Sequence, residues 1–424
     1  MQDKISSVRA QQILDCKCRP TVEVEIRTES GAYGRGAAAT GTTVGMYEAF
    51  VLRDDDRNSY NGLSVHKAVD IAVNQIGPAL IGMDIFDQRA IDEKMIALDG
   101  TSNKRRLGGN TICSVSIAAF RAAADARRIP LCDYIAAGPI RTVPVPCFNV
   151  INGGRYERFT QSFNEFLIVP YGTDSIDLAI EMAVTVFHKL ENVLTEYLGH
   201  KPQVASSYGY VAPSDDPEIV LTLMQQSIDD CGYTGRILFA LDCASSEMFD
   251  KQLGKYLLKG KRVSSDELIA YAQALTSKFD FLFIEDLLDE NDWAGYSKAV
   301  REVTRTIILG DDLTVTNLAL LRRAFETRAV EGFILKPNQV GTVTEALAAY
   351  SFAKEHGMIA VPSGRSGGVV DDVVMDFSVG LQVPFQKNGA PRSGERIEKL
   401  NFLMRANARN PGCKLYDIRP LLKC

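Results

Sequence analysis

Residues 306–342 read TIILGDDLTVTNLALLRRAFETRAVEGFILKPNQVGT. Two short apolar runs, TIILG and GFIL, each stop at charge: Asp311 after the first, Lys336 after the second. A helical pattern, LALLRRAF, lies between them. An apolar run without alternation reads as a strand buried on both faces, as in a parallel sheet. Strand, helix and strand then make one βα unit. The same beat runs outward from this stretch. FLIVP (166–170), RILFALD (236–242) and DFLFIED (280–286) precede it; MIAVPSG (358–364) and VGLQVPFQK (379–387) follow. Successive later runs stand roughly 25 to 30 residues apart, the length of a βα unit. Seven or eight such units fit a closed barrel better than an open sheet, and the barrel domain is predicted over 143–424.

The first 135 residues have another rhythm. VRAQQILD (8–15) and PTVEVEIRTES (20–30) read as strands, the second with period two. A Gly/Ala/Thr-rich loop follows, GRGAAATGTTVGMYEA (34–49). Two helical patterns come next, with Ser64 expected to cap SVHKAVDIAVNQIGPALIGM (64–83) and Asn110 standing before TICSVSIAAFRAAADARR (111–128). Strands followed by helices predict an α+β domain over 1–135. GPIRTVPVPCFNV (138–150) links it to the first barrel strand.

A chain of 424 residues exceeds one typical domain, which agrees with this division. Its net charge of −6 and lack of a basic run argue against nucleic acid or an anionic membrane as partner. No apolar stretch approaches the roughly 20 residues needed to span a bilayer. MQDKISSVRAQQ lacks the apolar segment of a signal peptide, so a cytoplasmic setting is expected. The nine cysteines are scattered and odd in number, which reads as reduced thiols. The four histidines have no zinc-ligand spacing.

In a barrel of this kind the chemistry sits at the C-terminal ends of the strands. Three runs end in carboxylates: Asp242, Glu285 and Asp311. Two end in lysines, Lys336 and Lys387, and one opens into Ser363-Gly364-Arg365-Ser366-Gly367. Converging carboxylates form a hard-oxygen site suited to magnesium. A buried lysine beside a metal can be held neutral and act as a base. A Ser/Gly loop with an arginine suits an oxyanion such as phosphate. Each residue has a plainer reading: an acid after a strand is often only the N-cap of the next helix, and a terminal lysine a solvated rim charge.

At these residues the chain resembles the enolase family, nearly end to end. RAQQILD, PTVEVEI, VGMYEAFVLRDDD, PCFNVINGG, NEFLIVP, ALDCASSEMF, FIEDLLDENDW, GDDLTVTN, ILKPNQVGTVTEAL, SGRSGG and KNGAP stand in family order. The resemblance implies an atypical TIM barrel of the enolase type with an α+β N-terminal capping domain. It also implies two Mg2+ ions, one structural and one catalytic, and a homodimer or higher homo-oligomer. Asp242, Glu285 and Asp311 match the ligands of the first ion, and Thr43 falls where a loop hydroxyl reaches the second. Lys336 matches the base for the α-proton, a pairing of lysine with magnesium already known for this superfamily. Lys387 matches the residue that binds the substrate carboxylate. Arg365 and Ser366 match the phosphate-binding pair, and Glu165 one acid on the leaving-group side. The implied reaction removes an α-proton from a 2-phosphoglycerate-like acid and expels water.

The leaving-group half departs from the family pattern. Ser206-Ser207-Tyr208-Gly209-Tyr210 replaces G-D-E-G-G, so Tyr208 stands where a glutamate is expected and is a candidate acid. Gly364 replaces a histidine in S-H-R-S-G. Arg155-Tyr156 replaces the family's S-H after NVINGG, so a second histidine is absent, and Cys16-Lys17-Cys18 interrupts D-S-R-G-N-P. Three functions remain open on the sequence: an ordinary 2-phosphoglycerate dehydratase, a specialised lyase of the carboxyphosphonoenolpyruvate synthase kind, and a non-catalytic scaffold. For the second, the substrate would be phosphonylated, and Arg155, Arg158 or Arg392 would neutralise its added charge.

Overall fold

The computed structural model describes residues 2–41, 45–154 and 161–423. Ile5–Leu14, Pro20–Thr28 and Tyr33–Ala37 form an antiparallel three-stranded sheet in that order. The period-two pattern of the middle strand buries Val22, Val24 and Ile26 completely. They share a core with Ile112, Val115 and Ala119 of the helix Gly109–Ala126. Gly34 and Gly36 make this packing possible. A Cβ at either would collide with the backbone of that helix, at Ala118 and Ser114 respectively. Strand and alanine-rich helix therefore lie in direct backbone contact.

Two capping expectations are corrected. The helical stretch from His66 to Leu80 contains a π turn at Ala72–Ile76 and begins after Val65. Ser64 does not cap it; its hydroxyl bonds Ser59. Asp54, brought back by the preceding turn, accepts the N–H groups of His66 and Lys67, both at 2.8 Å. Free amides at a helix start can be satisfied by any nearby acceptor, and here a distant carboxylate outcompetes the local serine. Asn110 lies inside the first turn of its helix. Its side chain instead bonds the backbone of Leu52 on both sides, at 2.9 and 3.2 Å.

The second domain is a curled nine-stranded sheet: a two-residue strand, Tyr210–Val211, pairs with the first strand, and the other eight neighbour one another in chain order. They are Val145–Asn152, Glu165–Pro170, Ile237–Asp242, Phe281–Glu285, Ile307–Gly310, Gly332–Leu335, Ile359–Pro362 and Phe385–Lys387. The last strand pairs with the first, and a parallel bridge from Ser363 to Lys387 joins it to its predecessor. The atypical feature is the second strand, which runs antiparallel to both neighbours. The continuous apolar runs divide between two cores. Leu238, Ala240, Phe283, Leu309, Ile334 and Phe385 fill the interior, where Phe283 and Phe385 stack at 5.6 Å. Phe239, Leu241, Ile284, Ile308 and Phe333 face the surrounding helices. Burial on both faces is why these strands show no alternation. Among the described residues no helix is long and apolar enough to cross a membrane.

Gly36→Val places two methyl groups and a Cβ into the backbone of the helix Gly109–Ala126. The expected cost is about 1–3 kcal/mol or more, read as a lower urea midpoint. An unchanged midpoint would show that strand and helix are not held in this contact.

Candidate active site

The strand ends deliver their charges to one place. Asp242 and Glu285 are the last residues of adjacent parallel strands, and Asp311 follows the next. Glu165 opens its strand rather than closing it. Because that strand is antiparallel, its first residue pairs with Asp242 and shares the same rim. Reading only the C-terminal ends of strands would place Glu165 at the wrong end of the barrel. None of the three carboxylates caps a following helix through its side chain. The helices Trp293–Glu302 and Leu318–Thr327 are capped by Asp292 and Asn317, so the plainer reading fails.

Lys387 Nζ lies among three of these acids, 2.6 Å from Glu285, 2.9 Å from Asp242 and 3.5 Å from Glu165. Burial opposes its charge, but Asp242, Glu285 and Glu165 overcome that and hold it well above lysine's ordinary value. Lys336 is hydrogen-bonded to Asp311 Oδ2, whose other oxygen accepts Gln339 Nε2 at 2.9 Å. Burial lowers the Lys336 pKa, yet its direct partner Asp311 outweighs burial and raises it.

Oxygens of Glu285, Asp286 and Asp311 lie within 4.8 Å of one another. Asp242 flanks them, with Oδ2 on Lys387 and Oδ1 accepting the Ala244 N–H at 3.1 Å. Asp286 was not singled out from sequence, although it directly follows Glu285 in DFLFIED. It also accepts the backbone N–H groups of Asp311 and Asp312, each at 2.9 Å, which fixes the next strand end. Burial, then Asp311 and Asp242, push its carboxyl up to about 7.

Arg365 meets Glu48 through a bidentate fork, 2.8 and 3.1 Å. Glu48 also accepts the Gly45 N–H at 3.0 Å. Ala49 N–H reaches Gln339 O at 2.7 Å, and Thr40 and Gly367 exchange backbone bonds. The N-terminal domain thus closes over the barrel mouth through Thr40 and Gly45–Ala49. Thr43 lies outside the described residues, as do Arg155, Tyr156 and Arg158. Ser366 sits beside Arg365 on the same cleft wall. Tyr208 is not brought to the carboxylates: its hydroxyl donates to Cys16 O at 2.5 Å and its ring underlies Arg396. Arg392 stacks on Phe187 and Tyr210 and donates to Tyr208 O.

Two family models cover the chain: "Enolase, N-terminal domain" matches residues 5–135, and "Enolase, C-terminal TIM barrel domain" matches 140–416. The chain belongs to the enolase family. It is therefore an enzyme of the enolase superfamily, a lyase of the magnesium-dependent kind. The residues present fit a magnesium ion. The donors are hard carboxylate oxygens, and Glu285 Oε1 is buried without a hydrogen-bond partner. Burial and the neighbouring Asp242 push the Glu285 carboxyl well above its ordinary value, a repulsion that a cation would relieve.

This gives a pH prediction. A carboxyl whose folded pKa is raised binds protons more tightly when folded, so stability falls as pH rises through the window from its unfolded to its folded value. For Asp286 that window runs from 3.8 to about 7. The melting temperature of the metal-free protein should fall across it, and saturating Mg2+ should suppress the fall. Asp286→Asn should flatten the metal-free curve. A metal-free melting temperature that rises toward pH 7 in the wild type and is unaffected by Asp286→Asn would contradict the assignment.

Proposed function

We propose that this chain removes the α-proton of a 2-phosphoglycerate-like acid with Lys336 and eliminates water to give an enolpyruvate. What carries the reading is the single cleft in which Lys336, Lys387, Arg365, Ser366, Glu165, Asp242 and Asp311 all take part. The substrate carboxylate pairs with Lys387, and its phosphate with Arg365 and Ser366. Asp242, Glu285, Asp286 and Asp311 would supply the oxygens for Mg2+, and the family resemblance makes Thr43 the candidate hydroxyl for a second ion. Bound there, magnesium stabilises the negative charge that develops on the substrate carboxylate.

Lys336 must be neutral to accept a proton. Burial, Arg365 and Lys387 favour the neutral amine, while Asp311 and Glu285 favour the charge. The lysine nitrogen takes the α-proton, and the C–H electron pair moves into the carboxylate as an enediolate. That pair then forms the new C=C bond as the β C–O bond breaks. The leaving hydroxide takes a proton from the acid side and departs as water. Glu165 is the candidate for that: it lines the same cleft as Lys336, and burial raises its carboxyl against the opposing pull of Lys387. Tyr208, bonded to Cys16 O, serves as a positioning residue for the turn at Asp15–Pro20.

A second reading is favoured by one observation. Gly364 lets the Lys399 ammonium stand where a side chain would otherwise be, adding a cation to the cleft wall beside Arg365 and Ser366. This supports a specialised lyase with the same proton abstraction on a substrate larger on its phosphorus side, of the carboxyphosphonoenolpyruvate synthase kind.

The test is turnover of 2-phosphoglycerate with Mg2+, followed by enolpyruvate absorbance. The reading predicts product, and a loss of about 10²–10⁴-fold in Glu165→Gln. Glu165→Gln turning over at the wild-type rate would remove its acid role. Wild type with no product on 2-phosphoglycerate would transfer the proposal to the larger substrate.

A further inference from the structure

Lys336 holds one oxygen of Asp311, and the other is held by Gln339, which no step above uses. Gln339 stands one turn after Lys336, in the short helix Pro337–Val340, and is almost fully buried. Its Nε2 donates to Asp311 Oδ1 at 2.9 Å and reaches toward Glu48 Oε1, 3.4 Å away. Asp311 belongs to the barrel and Glu48 to the N-terminal domain, so one amide spans both. The backbone of Gln339 spans them as well. Its N–H donates to Lys336 O at 3.0 Å, and its carbonyl accepts the Ala49 N–H at 2.7 Å. Glu48 in turn accepts the Gly45 N–H at 3.0 Å and the Arg365 fork.

The amide has one workable orientation. Its Oε1 lies 3.1 Å from the Thr316 hydroxyl, a donor, and reversing it would set that oxygen against two carboxylates. Thr316 is itself held under strain. Val315 and Thr316 carry φ of 40° and 58°, left-handed backbone that β-branched residues rarely adopt, and both are fully buried. Such strain persists only where surrounding contacts over-determine it. Thr316 Oγ1 accepts the Lys336 N–H at 2.9 Å, and its proton is within reach of Ile334 O and Gln339 Oε1, each at 3.1 Å. The strained hydroxyl therefore fixes the backbone of Lys336 and the orientation of the amide beside it.

We propose that Gln339, oriented by Thr316, is a positioning residue that couples segment 45–49 to the Asp311–Lys336 pair, so that cover over the barrel mouth and alignment of the base are one state. The inference rests on the reading of Lys336 as the base and adds what holds it in register. A neutral donor of two hydrogens suits this place: it meets one carboxylate from each domain and brings no charge beside the carboxylate cluster. Coupling of this kind is reciprocal, so seating Asp311 orders the segment and ordering the segment seats Asp311.

The test uses Gln339→Leu in the full chain, a side chain of similar size without the amide. It strands no neighbour: Asp311 keeps Lys336, Glu48 keeps Arg365 and Thr316 keeps Ile334 O. Backbone hydrogen–deuterium exchange with Mg2+, read by mass spectrometry, should quicken across residues 45–50 by about five-fold or more, with the barrel strands unchanged. Deuterium wash-in at the α-carbon of 2-phosphoglycerate should slow by about 10–10²-fold at saturating substrate, with the half-saturating concentration within about three-fold. Thr316→Ser, which keeps the hydroxyl, should stay close to the wild-type rates, and Thr316→Val, which keeps the branched shape, should follow Gln339→Leu. Either rate at its wild-type value in Gln339→Leu overturns the coupling. So does backbone exchange that quickens equally in the barrel strands, the mark of a purely structural loss. Equal impairment of the two Thr316 variants removes the hydroxyl's part. A wild type that washes in no deuterium defeats the reading of Lys336 as base, and the backbone exchange of residues 45–50 then decides the coupling alone.

Discussion

The Lys387 ammonium is the constraint on which the barrel mouth depends. It touches Glu285 and Asp242 and lies 3.5 Å from Glu165, so three separate strands converge on one nitrogen. Burying so many carboxylates without compensation would be strongly unfavourable, and removing one partner of such a cluster costs more than the pair contributes. Lys387 and Lys336 divide the task. The first gathers the acids of three strands, while the second holds Asp311 alone. The unpaired oxygen of Glu285 shows that two ammonium groups do not satisfy the cluster fully. A divalent cation completes the same electrostatic arrangement, so the groups that make the fold tense at its mouth are those that suit it to metal-assisted chemistry.

The reacting groups stand on a rigid frame. Seven of the proposed site residues lie in or directly after barrel strands whose neighbours are fully buried. Rigid strand ends hold a constellation more closely than loops do. The lid is built differently. Glu48 clamps Arg365 and accepts Gly45 N–H, so the segment that follows Thr43 is tied to the cleft wall by a charged fork. Covering the site and holding its arginine are one interaction.

Much of this was legible in sequence where the signal is local. Unalternated runs such as TIILG and GFIL record burial on two faces, and the charges that stop them mark the rim. The resemblance in GDDLTVTN and LKPNQVGTVTEA carried the family. Other features depend on contacts far apart in the chain and leave no local trace. Asp54 caps a helix in place of Ser64 because a turn returns it there. Asp286 joins the metal cluster because its backbone adopts a positive φ of 48° and turns the carboxylate onto the next strand end. Arg396 and Lys399 look like polar positions of an ordinary amphipathic helix, and only the packing of that helix against Gly364 brings Lys399 to the cleft wall. Tyr208 shows the converse. Its place in the motif suggested an acid, but its hydroxyl is spent on Cys16 O.

Proton abstraction by Lys336 is the central claim, and it can be observed apart from elimination. The direct measurement is wash-in of deuterium at the α-carbon of 2-phosphoglycerate in heavy water with Mg2+, followed by proton NMR. The wild type should exchange that proton whatever its rate of elimination, and Lys336→Ala should slow exchange by about 10²–10⁴-fold. Exchange at the wild-type rate in Lys336→Ala would mean that another group is the base.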